Sequence, residues 1–210
     1  MEMAFLIDGA FIRSKFHSTM QRDITAIDVQ NVVKNVLIDL KAQDIQYRVY
    51  FYDCPPYSGK TKLPITHTPY DFEATPQYSK MLQFLKEVKL LPFFAVREGV
   101  LSFQGWILKK SCYGMSPLTD NCFSPNLKQK GVDIKIGLDV AWVSFNKIAA
   151  NIVLITGDSD FIPVVKTARR SGVFVYLFTL GHNVKTEFCE NVDVANTRSL
   201  DQLVSSNSVS

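Results

Sequence analysis

Four aspartates have the residue type and the placement to do chemistry: Asp8 in LIDGAF, Asp133 in QKGVDIKIGLD, and Asp158 and Asp160 in TGDSDF. Asp8 ends an apolar run, and Asp158 and Asp160 follow another, NIVLIT at 151–156. Taken singly, each has an ordinary explanation: Asp158 or Asp160 could cap the helix that follows, and Asp8-Gly9 could be a plain exit from a strand into a turn. Taken jointly, three acids at strand ends in one small domain point to a shared site, with Asp133 as the natural fourth. Crowded carboxylates repel one another and raise each other's pKa, unless a divalent cation neutralises them. Oxygen-only ligands select Mg²⁺ or Mn²⁺ over zinc. Such ions serve phosphate-ester chemistry.

The elements that must position these acids can be read from periodicity. MAFLI (3–7) is apolar at every position, as a strand covered on both faces would be. Residues 28–41 repeat apolar groups at helical spacing, with Asp28 as the cap. QYRVYFYD (46–53) reads as a strand, 54–76 as a long Pro- and Thr-rich loop, and 77–91 as a helix. Residues 92–110 read as a hairpin turning at Arg97-Glu98-Gly99, and 111–126 as another loop. A strand at 151–156, a helix over 160–171 ending at Gly172, a strand at 173–178 and a short helix at 184–190 follow. Such an order predicts an α/β fold with a mainly parallel sheet. Ligands of open α/β sheets bind at the carboxyl ends of the strands, where Asp8, Asp158 and Asp160 fall.

One segment is ambiguous. GVDIKIGLDV (131–140) alternates apolar and polar residues like a strand, yet continues without a turn signal to 150. Twenty unbroken residues are long for a strand and ordinary for a helix, so the expectation is a largely buried helix. In a strand Asp133 and Asp139 would share a face; in a helix they lie about 120° apart. Only one of them then points at a given site, and Asp139 is the alternative to Asp133 as a metal ligand.

Length and composition set the limits. The chain of 210 residues carries a net charge of +3, enough for one domain with a full core and too little charge for a global polyanion-binding signature. The expected unit is a single domain over 1–204, with 54–130 as an irregular insertion and 205–210 as a small, polar, disordered tail. Cys54, Cys112, Cys122 and Cys189 form no CxxC pair, and His17, His67 and His182 complete no zinc spacing. Neither a signal peptide nor a membrane span is apparent, so the default setting is reducing and cytoplasmic, with free thiols.

LIDGAF (6–11), QKGVDIKIGLD (129–139) and TGDSDFIPVVKTARRSGVFV (156–175) together resemble the NYN family of PIN-like ribonuclease domains, in the pattern of its LabA-like, DUF88 branch. The resemblance covers the start and most of the second half of the chain. It implies a three-layer, Rossmann-like α/β/α sandwich with an acidic pocket for Mg²⁺ or Mn²⁺, and metal-dependent RNA cleavage. Carried over, the acids are Asp8, Asp133, Asp158 and Asp160, and Asp139 matches a second acid often seen in the KGVD block. It also supports the helical reading of 131–149. PIN-like domains often pair, so a homodimer is among the implied partners.

The expected chemistry is hydrolytic. Asp8 and Asp158 would hold the ion, and Asp160 and Asp133 would complete the shell or orient water. Water activated there would attack the scissile phosphorus, leaving a 5′-phosphate and a 3′-hydroxyl. Single-stranded RNA is the expected substrate; DNA stays open, because water attack needs no ribose 2′-hydroxyl. Basic residues must bring a polyanion to an acidic site: the candidates are Arg13, Lys15, Lys128 and Lys130, with Lys109 and Lys110 after the hairpin. Tyr57, Tyr70, Phe72, Trp106 and Tyr113 could stack on bases, though such residues more often pack internally. Two rivals remain. A haloacid-dehalogenase-like phosphatase needs a D-x-D pair, and Asp8-Gly9-Ala10 lacks the second acid. A PIN-like module could bind RNA or protein without cutting.

Overall fold

The computed structural model describes residues 2–205. The expected tail at 205–210 lies, apart from the backbone of Ser205, outside the described residues. Six strands form an all-parallel central sheet in the order β10-β9-β8-β1-β2-β5. They are β1 (Met3–Asp8), β2 (Tyr47–Asp53), β5 (Phe94–Glu98), β8 (Asn151–Ile155), β9 (Phe174–Phe178) and β10 (Val194–Asn196). The chain adds β2 and β5 on one side of β1, then returns to add β8, β9 and β10 on the other. The direction of winding therefore reverses between β1 and β8, the place where such sheets open a crevice for a ligand.

Alternation along β1 shows why its run is apolar throughout. Met3, Phe5 and Ile7 enter the core on one face; Ala4 and Leu6 enter the core on the other. Phe5, Leu6 and Ile7 have no exposed surface, and burying each stabilises the fold by about 1.5–3 kcal/mol. The first face is covered by α1 (Gly9–Met20), α2 (Ala26–Asp39), α3 (Pro76–Lys89) and α7 (Leu200–Ser205). The second is covered by α4 (Val132–Phe145), α5 (Ile162–Arg170) and α6 (Thr186–Glu190). The expected three-layer α/β/α sandwich is the observed one.

Several boundaries differ from the sequence expectation. Helix α2 starts at Ala26, with Thr25 as its cap; Asp28 closes a capping box by accepting from the Thr25 N–H at 2.8 Å. Helix α1 was not expected, because its inward stripe consists of little more than Ile12 and Phe16. The two runs of the expected hairpin are strands, but they do not pair with each other. β5 joins β2 in the parallel sheet, whereas β6 (Val100–Leu108) leaves it and pairs antiparallel with β7 (Phe123–Lys130). Gly99 is the pivot. A Cβ there would lie 2.7 Å from Val132 and 2.9 Å from Cys54, so only glycine lets the chain change sheets so close to α4.

A second short pair, β3 (Lys60–Lys62) with β4 (Pro69–Asp71), lies inside the expected loop. Its rings pack among themselves and onto β6: Tyr57 on Phe72, Tyr70 on Trp106, Phe72 on Phe103. Trp106 also donates its indole N–H to the Lys62 carbonyl at 2.9 Å. These aromatics hold the insertion together. Helix α4 is a helix, as expected, but it is not largely buried: only Val132, Ile136, Val140, Val143 and Ser144 are enclosed. All four cysteines are free. Among the described residues, no helix is long and apolar enough to cross a membrane.

Candidate active site at the carboxyl end of the sheet

Asp8 is the last residue of β1 and the cap of α1, and its Oδ1 accepts the Phe11 N–H at 3.0 Å. Burial, opposed by that hydrogen bond, raises its pKa to about 6, and the charges of Asp133 and Asp53 push in the same upward direction. Its Oδ2 meets the Thr156 hydroxyl at 3.5 Å. Thr156 is fully buried at the end of β8, and its Oγ1 accepts the Asp158 N–H at 3.2 Å. One hydroxyl thus ties the acid of β1 to the acid loop of β8 across the crevice between them.

Asp158 caps the short 3₁₀ turn 159–161, with Oδ1 accepting the Asp160 N–H at 2.9 Å. The capping explanation therefore holds for Asp158, and it leaves Oδ2 available for another partner. Asp133 stands in the first turn of α4. Its pKa is raised first by desolvation and then by the charges of Asp158 and Asp160. The four expected acids are thus linked by charge around one crevice: Asp8 with Asp133, and Asp133 with Asp158 and Asp160. Gly157 does not serve a left-handed turn. Its own Cβ would fall 2.6 Å from the Phe11 ring and 2.5 Å from that of His182; two rings close over the loop and leave no space. His182, which no sequence spacing singles out, stands edge-on to Phe11, 5.8 Å between centroids.

Asp139 lies elsewhere. Its Oδ2 accepts from the Tyr52 hydroxyl at 2.8 Å and from Arg97 Nε at 3.1 Å, bracing α4 against β2 and β5. The helical angle between Asp133 and Asp139 accounts for the separation. Asp53, which the sequence reading passed over, ends β2 one residue beyond the register partner of Asp8. It is fully buried, and the Arg13 guanidinium forks onto it at 2.8 and 3.0 Å while the Cys54 N–H donates at 2.8 Å. Gly9 permits this arrangement, since a Cβ there would lie 2.6 Å from Asp53 Oδ2. Arg13 is thus committed to a carboxylate. Lys15 is half-buried on α1, and Lys128 and Lys130 are exposed at the end of β7, next to Gly131 and Asp133. A groove of about 1160 Å³ begins at Asp53 and Arg13 and runs between α1, α3 and β7.

The donor set at the crevice is carboxylate with one hydroxyl, hard oxygen chemistry suited to Mg²⁺ or Mn²⁺. Among the described residues, no three acid, histidine or cysteine side chains converge as a ready-made cage. Mg²⁺ needs none: it keeps several waters and binds through one or two carboxylates. Burial is the larger cause of the raised pKa of Asp8 and Asp133, and the repulsion that neighbouring carboxylates add to it is what a divalent charge would relieve, so the residues fit a largely hydrated ion.

The profile of the NYN domain family matches residues 65–197, which takes in Asp133, Asp158 and Asp160 and leaves Asp8 outside. No curated protein matches. Among solved structures, the fold is similar to that of a protein of unknown function from Vibrio parahaemolyticus, with a TM-score of 0.53 at 13% identity, covering 96% of this chain and 94% of the other. The match to the family profile covers more than half of the chain: this protein belongs to the NYN domain family, whose members are PIN-like nuclease or RNA-binding domains.

Proposed function

We propose that this chain, as a member of the NYN domain family, is a divalent-metal-dependent ribonuclease that hydrolyses phosphodiester bonds at the crevice between β1 and β8. One observation supports this above the rest: acids from three separate parts of the chain gather at the winding reversal of the sheet, where Asp8 feels the charge of Asp133, and Asp133 the charges of Asp158 and Asp160, on top of the larger effect of burial.

Asp8 and Asp158 would hold the ion, and a bound Mg²⁺ or Mn²⁺ would supply Lewis acidity and lower the pKa of water. Thr156 donates toward the Asp8 carboxylate and accepts the backbone N–H of Asp158, tying the acid of β1 to the main chain of the acid loop. Asp133 and Asp160, more exposed, would complete the shell or orient the attacking water. Lys128 and Lys130 carry positive charge to the edge of an otherwise acidic site, where an RNA backbone needs it. Arg13, neutralised by Asp53, contributes rigidity rather than a free cation.

The test is incubation with labelled single-stranded RNA, with and without Mn²⁺. Mn²⁺-dependent products carrying 5′-phosphates are expected, and Asp158→Asn abolishes them while leaving the fold intact. Full activity in that purified variant would overturn the assignment. The family match, which takes in nuclease and RNA-binding domains alike, leaves a second reading, an RNA-binding module that does not cut. Binding of RNA without products at any metal concentration would select it.

A further inference from the structure

The chain leaves β9 through a tight turn at the same end of the sheet as the acids. The His182 N–H donates to the Thr179 carbonyl at 2.8 Å, and the two residues between, Leu180 and Gly181, have φ of 48° and 74°. Positive φ at both central positions is the backbone of a type I′ turn. For a leucine that conformation is costly, and Leu180 is anchored in it by a side chain only 2% exposed. Thr179 adds a second cost: it is fully buried, and its hydroxyl has no partner among the described residues. Local costs of this kind gather at turns that hold a side chain towards a ligand.

The side chain held here is His182. Its ring lies against the acid loop, since a Cβ on Gly157 would stand 2.5 Å from its Cδ2 and 3.1 Å from its Cγ. That carbon edge faces the loop, which leaves Nδ1 and Nε2 turned away from it. Phe11, whose N–H is bonded to Asp8, braces the ring edge-on. Three residues on, the Lys185 N–H reaches Ser159 Oγ at 3.4 Å, so the segment after the turn runs along the acid loop. The imidazole is exposed, and among the described residues no hydrogen bond or ion pair engages its nitrogens.

We propose that His182 is a substrate-binding residue, donating a ring N–H to a phosphate oxygen of the RNA strand held at the acids. The inference rests on the reading of the crevice as an RNA site and adds to it a donor that the acids cannot supply. Ionised carboxylates accept hydrogen bonds and offer none to a phosphate. Arg13 is engaged by Asp53, and Lys128 and Lys130 stand on β7. The β8 side of the crevice is served by His182. An imidazole carries at least one N–H in either charge state, so the contact needs no particular protonation. Hydrogen bonds to an ionised oxygen are the stronger kind, and a donor fixed in advance needs no reorganisation when the strand arrives.

Three variants separate the donor from the ring. His182→Phe keeps an aromatic ring against Phe11 and Gly157 but has no donor, His182→Gln has a donor and no ring, and His182→Ala has neither. With labelled single-stranded RNA and Mn²⁺, kcat/KM is expected to fall about 10- to 100-fold in His182→Phe and His182→Ala, and His182→Gln is expected to recover most of that loss. Mn²⁺ affinity measured without RNA is expected to stay unchanged in all three. Wild-type kcat/KM in His182→Phe would make the ring a packing or stacking surface and overturn the proposal. Weakened Mn²⁺ binding in His182→Phe would make His182 part of the metal site and overturn it equally. If the wild-type protein cleaves no RNA, the nuclease reading falls separately, and fluorescence anisotropy of the same RNA in Mn²⁺ decides. Affinity lowered about tenfold or more in His182→Phe then supports the contact; equal affinity, or no binding by the wild type, overturns it.

Discussion

At the scale of single residues, Asp8 is held in a protonation balance that works against stability. Its folded pKa, about 6, lies above its ordinary value of 3.8. For a carboxyl raised in this way, the folded state loses stability as pH rises from about 4 through 6, and the deficit persists above that. At neutral pH it is on the order of 3 kcal/mol. Asp8→Asn is therefore expected to melt higher than wild type at pH 7.5 without metal, and equally at pH 4, while losing catalysis. Calorimetry at the two pH values checks this. Thr156 acts through the two acids it links. Thr156→Val keeps the volume and burial but removes both hydrogen bonds, and is expected to weaken Mn²⁺ binding about tenfold with little change in the far-ultraviolet spectrum. Unchanged Mn²⁺ affinity in a titration would show that the hydroxyl serves packing alone.

At the scale of elements, α2 depends on a cap assembled from Thr25, Asp28 and Arg22. Asp28 accepts from the Thr25 N–H at 2.8 Å and from Arg22 at 2.6 and 2.8 Å. The Arg22 hydrogen bond, opposed by partial burial, lowers its pKa to about 2. Its contribution is present above about pH 4 and fades as pH falls towards 2. Asp28→Ala should cost about 1 kcal/mol at pH 7 and very little at pH 2, as read from denaturant midpoints. Legibility also differed by element. Strands β1 and β8 were readable because burial on both faces makes their residues uniformly apolar, and the acids at their ends came with them. Asp53 was not: YFYD looks like any strand exit, and the Arg13 that marks it stands 40 residues away in sequence. The pairing of β6 was hidden because its partner, FSPNLKQK, has no β-branched residue and carries a proline within its short alternation. The length of the unbroken run, against its strand-like alternation, found α4 as a helix but misjudged its surroundings, since an apolar residue reads the same whether its neighbour is the core or empty space.

At the scale of the molecule, charge is arranged locally within a chain of net charge +3. The crevice is acidic, and the exposed Lys128 and Lys130 stand beside it at the end of β7. Replacing both with glutamine is expected to raise KM for RNA, leave kcat within a factor of about two, and lower the slope of log affinity against log salt by about 1–1.5. A fall in kcat at constant KM would place these lysines in the chemistry instead of in capture.

The order of the strands carries a consequence for the chain during its synthesis. Strand β1 leaves the ribosome first, yet it occupies the interior of the sheet, and one of its edges stays bare until β8 arrives. Asp8 and Thr156 are 148 residues apart. At about 5–20 residues per second, the two halves of the crevice are separated by roughly 10–30 s of translation. A nascent chain thus carries Asp8 without the loop that would complete its site. The crevice is complete only once Thr156 and the chain that follows it, about the last quarter of the sequence, are available to fold.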